Sequence, residues 1–380
     1  MKQVFKKLKV MTIIGTRPEI IRLSRTMALL DEYTDHIIAH TGQNYDYELN
    51  EIFFNELGLR KPNYFFNIDA SSLGSGVGDI IKKSEEVLKK ENPDALLVLG
   101  DTNSCLSAYI AKRMHIPIFH MEAGNRCFDF NVPEEINRRI IDHIADYNLV
   151  YTEHARRHLL SEGLPHRRIY LTGSPMNEVL NYYLPKIKKS QILKNLSLKA
   201  KKYFVVSVHR EENVDNPDNL KKILNVLKML SKMYQYQIIV STHPRTRKNL
   251  KEFNTFEKDK NIKFLKPFGF IDYVKLQMNA ACTISDSGTI SEESAILSFP
   301  AVSIRESMER PEAQDSGSII LTGFDETVVL SSINAIMNQT NSNGGIDIPL
   351  DYRIENTSWR VLNLILGNTK LSNIWNGIKK

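Results

Sequence analysis

Short apolar segments alternate with longer amphipathic segments along almost the whole chain of 380 residues, and this alternation limits the possible folds more than any other feature. The apolar segments are continuous and rich in Val and Ile, as strands are when both faces of a parallel sheet are covered. The amphipathic segments between them show the spacing of apolar residues that is typical of helices. Strand–helix alternation of this kind predicts an α/β architecture built on parallel sheets.

Twelve strands are predicted, in two series of six. The first series comprises residues 10–14, 36–40, 95–99, 117–120, 147–151 and 169–171. The second comprises residues 204–208, 237–241, 263–265, 282–285, 301–304 and 319–321. Helical spacing is clearest in 77–90, in 134–146 (with Ile136, Ile140, Ile141 and Ile144) and in the last segment, 357–378.

Two series of strands predict two Rossmann-like domains, of residues 1–180 and 181–356. The polar, Lys-rich stretch 186–202 separates the series, and the linker is expected near 175–184. In open parallel sheets, ligands bind beyond the carboxyl ends of the strands, and phosphates bind at helix N-termini. The predicted site is therefore a cleft between the domains, lined by polar residues that follow strands.

Composition excludes several classes of protein. No apolar run approaches the ~18–20 residues that cross a bilayer, and the basic, then apolar N-terminus lacks a cleavage site, so a cytoplasmic protein without membrane insertion is expected. The net charge of +6 is mild and no basic stretch interleaves with aromatic residues, so nucleic-acid binding is not expected, whereas an anionic small ligand fits. Cys105, Cys127 and Cys282 lack metal or disulfide spacing, which predicts reduced thiols.

Four charged residues of the first series are candidates. Arg17 opens a helix after the first strand, where a guanidinium suits phosphate. Asp101 follows the strand 95–99, either as a cleft carboxylate or as the cap of the next helix. Glu122 follows 117–120, where a charge needs a partner or a function. Glu134 opens a helix, a position that the helix dipole alone also favours for a carboxylate.

The second series adds candidates for proton transfer and nucleotide binding. His209 ends the strand 204–208 and suits proton transfer or phosphate contact, with Thr242-His243-Pro244-Arg245 after the next strand. The turn Ser287-Gly288-Thr289 precedes a helix, so its N–H groups and hydroxyls suit a diphosphate, and Glu293 lies one turn further on, within reach of ribose hydroxyls. Arg310 would balance phosphate or a carboxylate.

Taken in order, these segments resemble one family. GTRPE, GDT, MEAGNR, PEEINR, VHREEN, DSGTISEE and MERPE are similar to the motifs of the non-hydrolysing UDP-N-acetylglucosamine 2-epimerases, over about residues 8 to 370. The resemblance implies the GT-B fold, with two Rossmann-like domains and a C-terminal helix, 357–380 here, that crosses back to the first domain. It also implies a homodimer.

The resemblance further implies a mechanism that needs no NAD, metal or PLP. UDP is eliminated together with the C2 proton, a 2-acetamidoglycal forms, and UDP re-adds with protonation on the opposite face. By the resemblance, Asp101, Glu122 and Glu134 are the catalytic carboxylates, and His209 acts at the diphosphate or as an acid. Arg17, Ser287, Gly288 and Glu293 hold the nucleotide, and Tyr273 occupies the aromatic position near uracil.

Within the family, the sequence is most similar to the branch that makes UDP-N-acetyl-L-fucosamine for capsule or O-antigen, by inverting C2 of UDP-2-acetamido-2,6-dideoxy-L-talose. Three departures from the common family pattern support this branch: Asn125 replaces Leu, Thr289 replaces Gly and Asn44 replaces His. The segment 41–47 belongs to the allosteric site of bacterial relatives, and its change argues against that regulation here. The alternatives are a UDP-N-acetylglucosamine/UDP-N-acetylmannosamine 2-epimerase, a hydrolysing epimerase, a GT-B glycosyltransferase and an inactive sugar-nucleotide sensor.

Overall fold

The computed structural model describes residues 6–42, 47–69, 71–242, 244–250, 259–342 and 347–378. The chain divides into two compact units, one of residues 1–181 together with 351–380 and the other of residues 182–350. Each unit contains one parallel sheet, which confirms the prediction of two Rossmann-like α/β domains.

The first unit is built on seven parallel strands in the order β3-β2-β1-β4-β5-β6-β7. The strands are β1 (Lys9–Ile14), β2 (Asp35–His40), β3 (Tyr64–Phe65), β4 (Ala95–Leu99), β5 (Ile118–Ala123), β6 (Tyr147–Val150) and β7 (Ile169–Leu171). The helices are α1 (Arg17–Tyr33), α2 (Tyr47–Glu56), α3 (Leu73–Glu91), α4 (Ser107–Arg113), α5 (Pro133–Ile144), α6 (Glu153–Ser161) and α7 (Met176–Lys189), with short 3-10 helices at Asn103–Leu106 and His166–Arg168.

The second unit is built on six parallel strands in the order β10-β9-β8-β11-β12-β13. The strands are β8 (Tyr203–Ser207), β9 (Gln237–Ser241), β10 (Ile262–Leu265), β11 (Cys282–Ser285), β12 (Ala301–Ser303) and β13 (Ile320–Leu321). The helices are α8 (Ile192–Asn195), α9 (Glu211–Val214), α10 (Pro217–Tyr234), α11 (Pro244–Leu250), α12 (Phe270–Asn279), α13 (Ile290–Leu297), α14 (Pro311–Asp315) and α15 (Glu326–Ser342). A 3-10 helix at Leu350–Arg353 precedes α16 (Thr357–Trp375).

All twelve predicted strands are present, and β3 is an additional strand of two residues. The chain passes from the first unit to the second inside α7, so the expected linker is helical rather than a loop. The last helix, α16, belongs to the first unit, where the ring of Trp375 lies 6.5 Å from that of Tyr147 and Thr357 Oγ1 donates to the carbonyl of Thr172 over 3.2 Å.

Helix α5 differs from its sequence prediction. Two of the isoleucines that define its apolar spacing are exposed, Ile136 at 51% and Ile140 at 43%. The buried side of α5 instead carries Glu135, Arg138 and Asp142 beside Ile141. Glu135 is paired with Arg138, and Asp142 is paired with Arg126. A network of ion pairs therefore replaces apolar burial on this face, because each buried charge has a partner.

Candidate active site

The backbone at Glu122 is irregular. The sequence places this residue after its strand, but β5 extends to Ala123 and contains it. Glu122 has a φ of 67°, and the pairing of β5 with β6 shifts register between Met121 and Ala123. Gly124 also has a positive φ, 81°, and a Cβ there would lie 2.4 Å from the carbonyl oxygen of Ala155. The backbone therefore forms a bulge at Glu122, with a positive φ that is unfavourable for β-branched residues. This bulge sets the orientation of the Glu122 carboxylate.

Donors from α1 and from the segment after β5 contact the carboxylate of Glu122. Arg22 of α1 donates from Nη1 to Oε2, and both side chains are almost fully buried. The Nδ2 of Asn125 lies 3.4 Å from Oε1. Oε2 also lies 3.6 Å from the position that a Cβ on Gly100 would occupy, so Glu122 faces the turn that carries Asp101.

Asp101 is an ion-pair partner and not a helix cap. Arg138 donates to its Oδ2 from Nε over 2.9 Å and from Nη2 over 2.6 Å. The following 3-10 helix begins at Asn103 with Thr102 in the cap position, and no side chain caps it. Asn137 Nδ2 donates to the carbonyl of Asp101 over 2.9 Å, which ties this turn to α5.

Glu134 lies in the first turn of α5 and is half-buried. Its neighbour Glu135 is fully buried and accepts from Arg138 Nη1 over 3.1 Å. Since Arg138 also binds Asp101, one guanidinium connects the start of α5 to the end of β4. The structure therefore brings together Asp101, Glu122 and the first turn of α5 within the first unit.

Arg17 is the first residue of α1 and follows Thr16, which occupies the cap position but makes no capping hydrogen bond with its side chain. Its guanidinium carbon lies 5.4 Å from the ring centre of Phe53. β1 and β4 are neighbours in the sheet, so Arg17 and Asp101 follow adjacent strand ends.

In the second unit, His209 depends on a buried carboxylate. Asp286 Oδ2 accepts from the backbone N–H of His209 and of Arg210, both over 2.9 Å, and from Asn213 Nδ2 over 2.8 Å. The Nδ1 of His209 lies 3.1 Å from Oδ1. Burial alone would raise the pKa of Asp286, but the imidazole and these donors outweigh burial and lower the pKa to about 2.

The predicted diphosphate turn lies between β11 and α13. The hydroxyls of Ser287 and Thr289 are 3.0 Å apart. A Cβ on Gly288 would lie 2.6 Å from Glu309 Oε1, so the Glu309 side chain would have to shift if a larger residue stood here. Thr289 occupies the cap position of α13, an end at which the helix dipole favours an anion, although the N–H groups of Ile290 and Glu292 donate to the carbonyls of Ser287 and Thr289.

The remaining nucleotide candidates of the second unit are buried or half-buried. Glu293 is buried in α13 and accepts from Gln277 Nε2 over 2.8 Å. Arg310 is buried and binds Glu292 Oε2 through Nη1 over 3.1 Å. Of its two predicted partners, a phosphate or a carboxylate, the structure contains the carboxylate. Tyr273 is half-buried on α12.

Some predicted segments lie outside the described residues. They are Gln43, Asn44, Tyr45 and Asp46 of the predicted regulatory segment, and His243 after β9. Within the described ranges, no group of three or more His, Cys, Asp or Glu side chains is arranged to hold a metal ion. In the same ranges, no helix is both long and apolar enough to cross a bilayer.

Four further residues of the site were not predicted from the sequence. They are Glu19, Arg22, Arg138 and Asp286. Glu19 and Arg22 lie on α1 among apolar residues and are nevertheless buried. A charged residue inside an apolar stretch that faces a sheet is the signal that would have identified both, because such a charge needs a partner. Arg138 and Asp286 stand within motifs, but their partners are remote in sequence.

Comparison with known proteins agrees with this geometry. The sequence profile described as UDP-N-acetylglucosamine 2-epimerase matches residues 28–366. A relative of that name from Methanocaldococcus jannaschii is 39% identical over 345 residues, which cover 87% of this chain and 93% of the relative.

The similarity to solved structures extends along almost the whole chain, as two of them show. The structure of UDP-N-acetylglucosamine 2-epimerase from Rickettsia bellii is 50% identical, with a TM-score of 0.92, and the match covers 98% of this chain and 100% of that one. The Methanocaldococcus jannaschii enzyme in complex with UDP-GlcNAc and UDP is 35% identical, with a TM-score of 0.88 and coverage of 94% and 99%. The predicted family and the prediction of an isomerase are therefore confirmed: the chain belongs to the UDP-N-acetylglucosamine 2-epimerase family.

Proposed function

We propose that this protein inverts C2 of a UDP-2-acetamido sugar by eliminating and re-adding UDP. The observation that carries the proposal is the grouping of Asp101, Glu122 and the first turn of α5, with Glu134, at one end of the first sheet. Family membership and the nucleotides bound in the Methanocaldococcus jannaschii structure support a UDP-sugar ligand.

The chemistry explains why carboxylates are required. The C2 proton of a hexosamine is not acidic, so direct deprotonation is too costly. In elimination, one carboxylate takes the C2 proton, the C1–O bond breaks with its electron pair leaving on UDP, and a C1=C2 double bond forms. UDP then adds back to C1 while a proton is delivered to the other face of C2. At least two acid–base groups on opposite faces are needed.

We assign the carboxylate roles to Asp101, Glu122 and Glu134, and the stabilisation of departing UDP to His209. Arg138 on Asp101 and Arg22 on Glu122 support this assignment, because each cation fixes the orientation of one carboxylate. The 38% exposure of the His209 side chain leaves the imidazole accessible to a diphosphate.

We assign the nucleotide to the turn at Ser287 and Gly288, with Arg17 as a further phosphate contact. The hydroxyls and the α13 N-terminus of that turn support this assignment. Glu293 would bind ribose, Tyr273 uracil, and Arg310 keeps the charge of Glu292 compensated beside the turn.

We propose that the substrate is UDP-2-acetamido-2,6-dideoxy-L-talose and that the product, UDP-N-acetyl-L-fucosamine, is used for surface polysaccharide. We further propose that the enzyme acts in the cytoplasm as a homodimer. Two of the departures from the family pattern support this substrate, because both touch predicted site residues. Asn125 contacts Glu122, and Thr289 contacts Ser287. The second candidate is the UDP-N-acetylglucosamine/UDP-N-acetylmannosamine pair, which the names of the relatives favour.

A proton NMR time course in heavy water distinguishes these candidates. The purified enzyme is incubated separately with the UDP-L-talo sugar and with UDP-N-acetylglucosamine, with Glu122→Gln as the control. The expected result is loss of the C2 proton signal and appearance of the C2 epimer from the L-talo substrate, at a higher kcat/KM than for the D-gluco one. A higher kcat/KM for UDP-N-acetylglucosamine would assign the second candidate, and accumulation of free sugar and UDP would indicate hydrolysis.

A further inference from the structure

Glu19 of α1 is the acceptor for four hydrogen bonds although its side chain is only about 1% exposed. Its Oε2 accepts from the backbone N–H of Gly15 over 2.7 Å and from Ser104 Oγ over 3.0 Å. Its Oε1 accepts from Thr16 Oγ1 over 2.9 Å and from Thr102 Oγ1. Two donors come from the turn after β1 and two from the turn after β4, so one carboxylate joins the two turns.

These two turns carry residues assigned above to catalysis and binding. The turn after β1 leads directly into Arg17, and the turn after β4 contains Asp101 next to Thr102. Because β1 and β4 are adjacent parallel strands, their carboxyl ends are side by side. The bonds from Glu19 to both turns therefore fix how the phosphate-binding group and the catalytic carboxylate are placed with respect to each other.

Glu19 has no cationic partner among the described residues. The nearby guanidinium of Arg22 binds Glu122, and that of Arg138 binds Asp101. Burial raises the pKa of Glu19 to about 7, although the four donors act in the opposite direction. A buried carboxylate without an ion pair is unfavourable for folding, and a neutral side chain of similar size would avoid that penalty. Its presence at this junction is therefore better explained by function than by stability.

We propose that Glu19 is a positioning residue whose ionised carboxylate holds Arg17 and Asp101 in the productive arrangement. The proposal rests on the function assigned above to those two residues. Ionised, the carboxylate accepts all four bonds; protonated, one oxygen must donate, so at least one hydroxyl has to turn away. The link between the turns is then weaker below neutral pH.

The charged and titratable groups around this carboxyl come from every adjoining element. They are Arg17 and Arg22 on α1, Asp101 after β4, Cys105 on the 3-10 helix and Glu122 on β5. Several of these groups are themselves ionisable, so a change in their protonation can also alter kcat. A pH dependence must therefore be assigned by removing Glu19 itself.

The test compares four variants: Glu19→Ala, Glu19→Gln, Thr102→Val and Thr16→Val. The two threonine variants are a matched pair, since each removes one hydroxyl bond to Oε1, but only Thr102 lies across the junction. We expect kcat to fall about 10²-fold in Glu19→Ala and about tenfold in Thr102→Val, because small misplacements of catalytic groups are costly. Thr16→Val should stay within about twofold, and melting temperatures verify that each variant is folded.

Glu19→Gln separates geometry from charge. Its amide oxygen can accept from Gly15 and Ser104, but its NH₂ donates where the carboxylate accepted from the two threonine hydroxyls, so kcat should fall to the level that the wild type reaches at low pH. The wild-type kcat should rise with pH through about 7, the value to which burial raises the pKa of Glu19. This rise of kcat with pH, the acid limb of the pH profile, should be absent in Glu19→Gln. A limb that persists in the variant, or equal losses in Thr16→Val and Thr102→Val, would overturn the proposal.

Amide hydrogen exchange without substrate keeps this test independent of the proposed function. Faster exchange at both 15–17 and 100–106 is expected in Thr102→Val and not in Thr16→Val. If the enzyme epimerises no UDP-2-acetamido sugar but this exchange pattern appears, the proposed function fails while the junction stands. If epimerisation is observed and exchange in the two variants is the same, the junction fails alone.

Discussion

The Nδ1 of His209 lies 3.1 Å from Oδ1 of Asp286, and the other oxygen of the same carboxylate accepts from the backbone N–H of His209. One buried side chain thus binds the backbone of the histidine and also lies beside its ring. The arrangement resembles the orientation of a catalytic histidine by a buried aspartate in other enzymes.

Replacing Asp286 should therefore affect catalysis through His209. In Asp286→Asn we expect kcat/KM to fall about tenfold or more, because the negative charge beside the ring is lost. Asp272→Asn is a matched control, since Asp272 accepts a single hydroxyl bond from Ser190 in the same unit. Steady-state kinetics on both variants make the comparison, and an unchanged kcat/KM in Asp286→Asn would remove Asp286 from the mechanism.

The same residue predicts an acid limit of stability. The pKa of Asp286 falls from 3.8 to about 2 on folding, so its stabilising contribution is present above pH ~4 and is lost as the pH falls through about 2. The contribution is about 2 kcal/mol. Urea titrations between pH 2 and 6 should show this loss in wild type and not in Asp286→Asn; parallel pH profiles would contradict the prediction.

Glu122→Gln should abolish activity and also weaken the fold. Loss of an acid–base group lowers kcat about 10²-fold or more, and Arg22 is left as a buried charge without its carboxylate, at a cost of about 1–3 kcal/mol. Glu153→Gln, which disrupts the more exposed pair with Arg156, is the control and should change neither quantity appreciably. Binding of UDP, measured by calorimetry, should survive in Glu122→Gln, and wild-type turnover would exclude Glu122 from the reaction.

Glu293→Ala should raise KM by about tenfold and leave kcat nearly unchanged, because ribose contacts are similar in the ground and transition states. Gln277→Ala removes the same hydrogen bond to Glu293 but not the proposed ribose contact, so it separates the two effects. Initial rates against substrate concentration provide the measurement. A collapsed kcat with an unchanged KM would contradict the ribose assignment.

Glu19→Gln should stabilise the protein by an increasing amount as the pH rises from 5 to 8. Folding raises the pKa of Glu19 from 4.5 to about 7, so the folded state is favoured by this group below pH ~4.5 and that advantage is lost as the pH rises through about 7. The glutamine variant should gain about 1–3 kcal/mol over wild type between pH 5 and 8. Denaturant unfolding at both pH values tests this, and a constant difference would show that Glu19 does not titrate in this range.

The strands were predictable because a parallel sheet covered on both faces leaves continuous apolar segments in the sequence. β3 was missed because Tyr64–Phe65 is too short to form such a segment. Ile136 and Ile140 on α5 were wrongly expected to mark its buried side. Their spacing is helical, but the side of α5 that is buried carries charged residues.

The site was predictable only at the level of single strand ends. Glu122 and Arg22 are 100 residues apart, and Thr102 is 83 residues from Glu19, so no local pattern reveals either contact. The bulge at Glu122 depends on pairing between β5 and β6, which is likewise not local.

The first unit includes residues 351–380, although the whole second unit precedes them in the chain. During synthesis, α1 through α6 and all seven strands of the first sheet leave the ribosome long before α16, which supplies buried residues such as Val361 and Ile365 and the hydrogen bond to Thr172. All residues of the second unit are therefore synthesised before the first unit is complete. Until then, the apolar surface of the first unit that packs against α16 is uncovered. The first unit, although it begins the sequence, can therefore be completed only after the second, and until then its apolar surface is exposed to non-specific contacts.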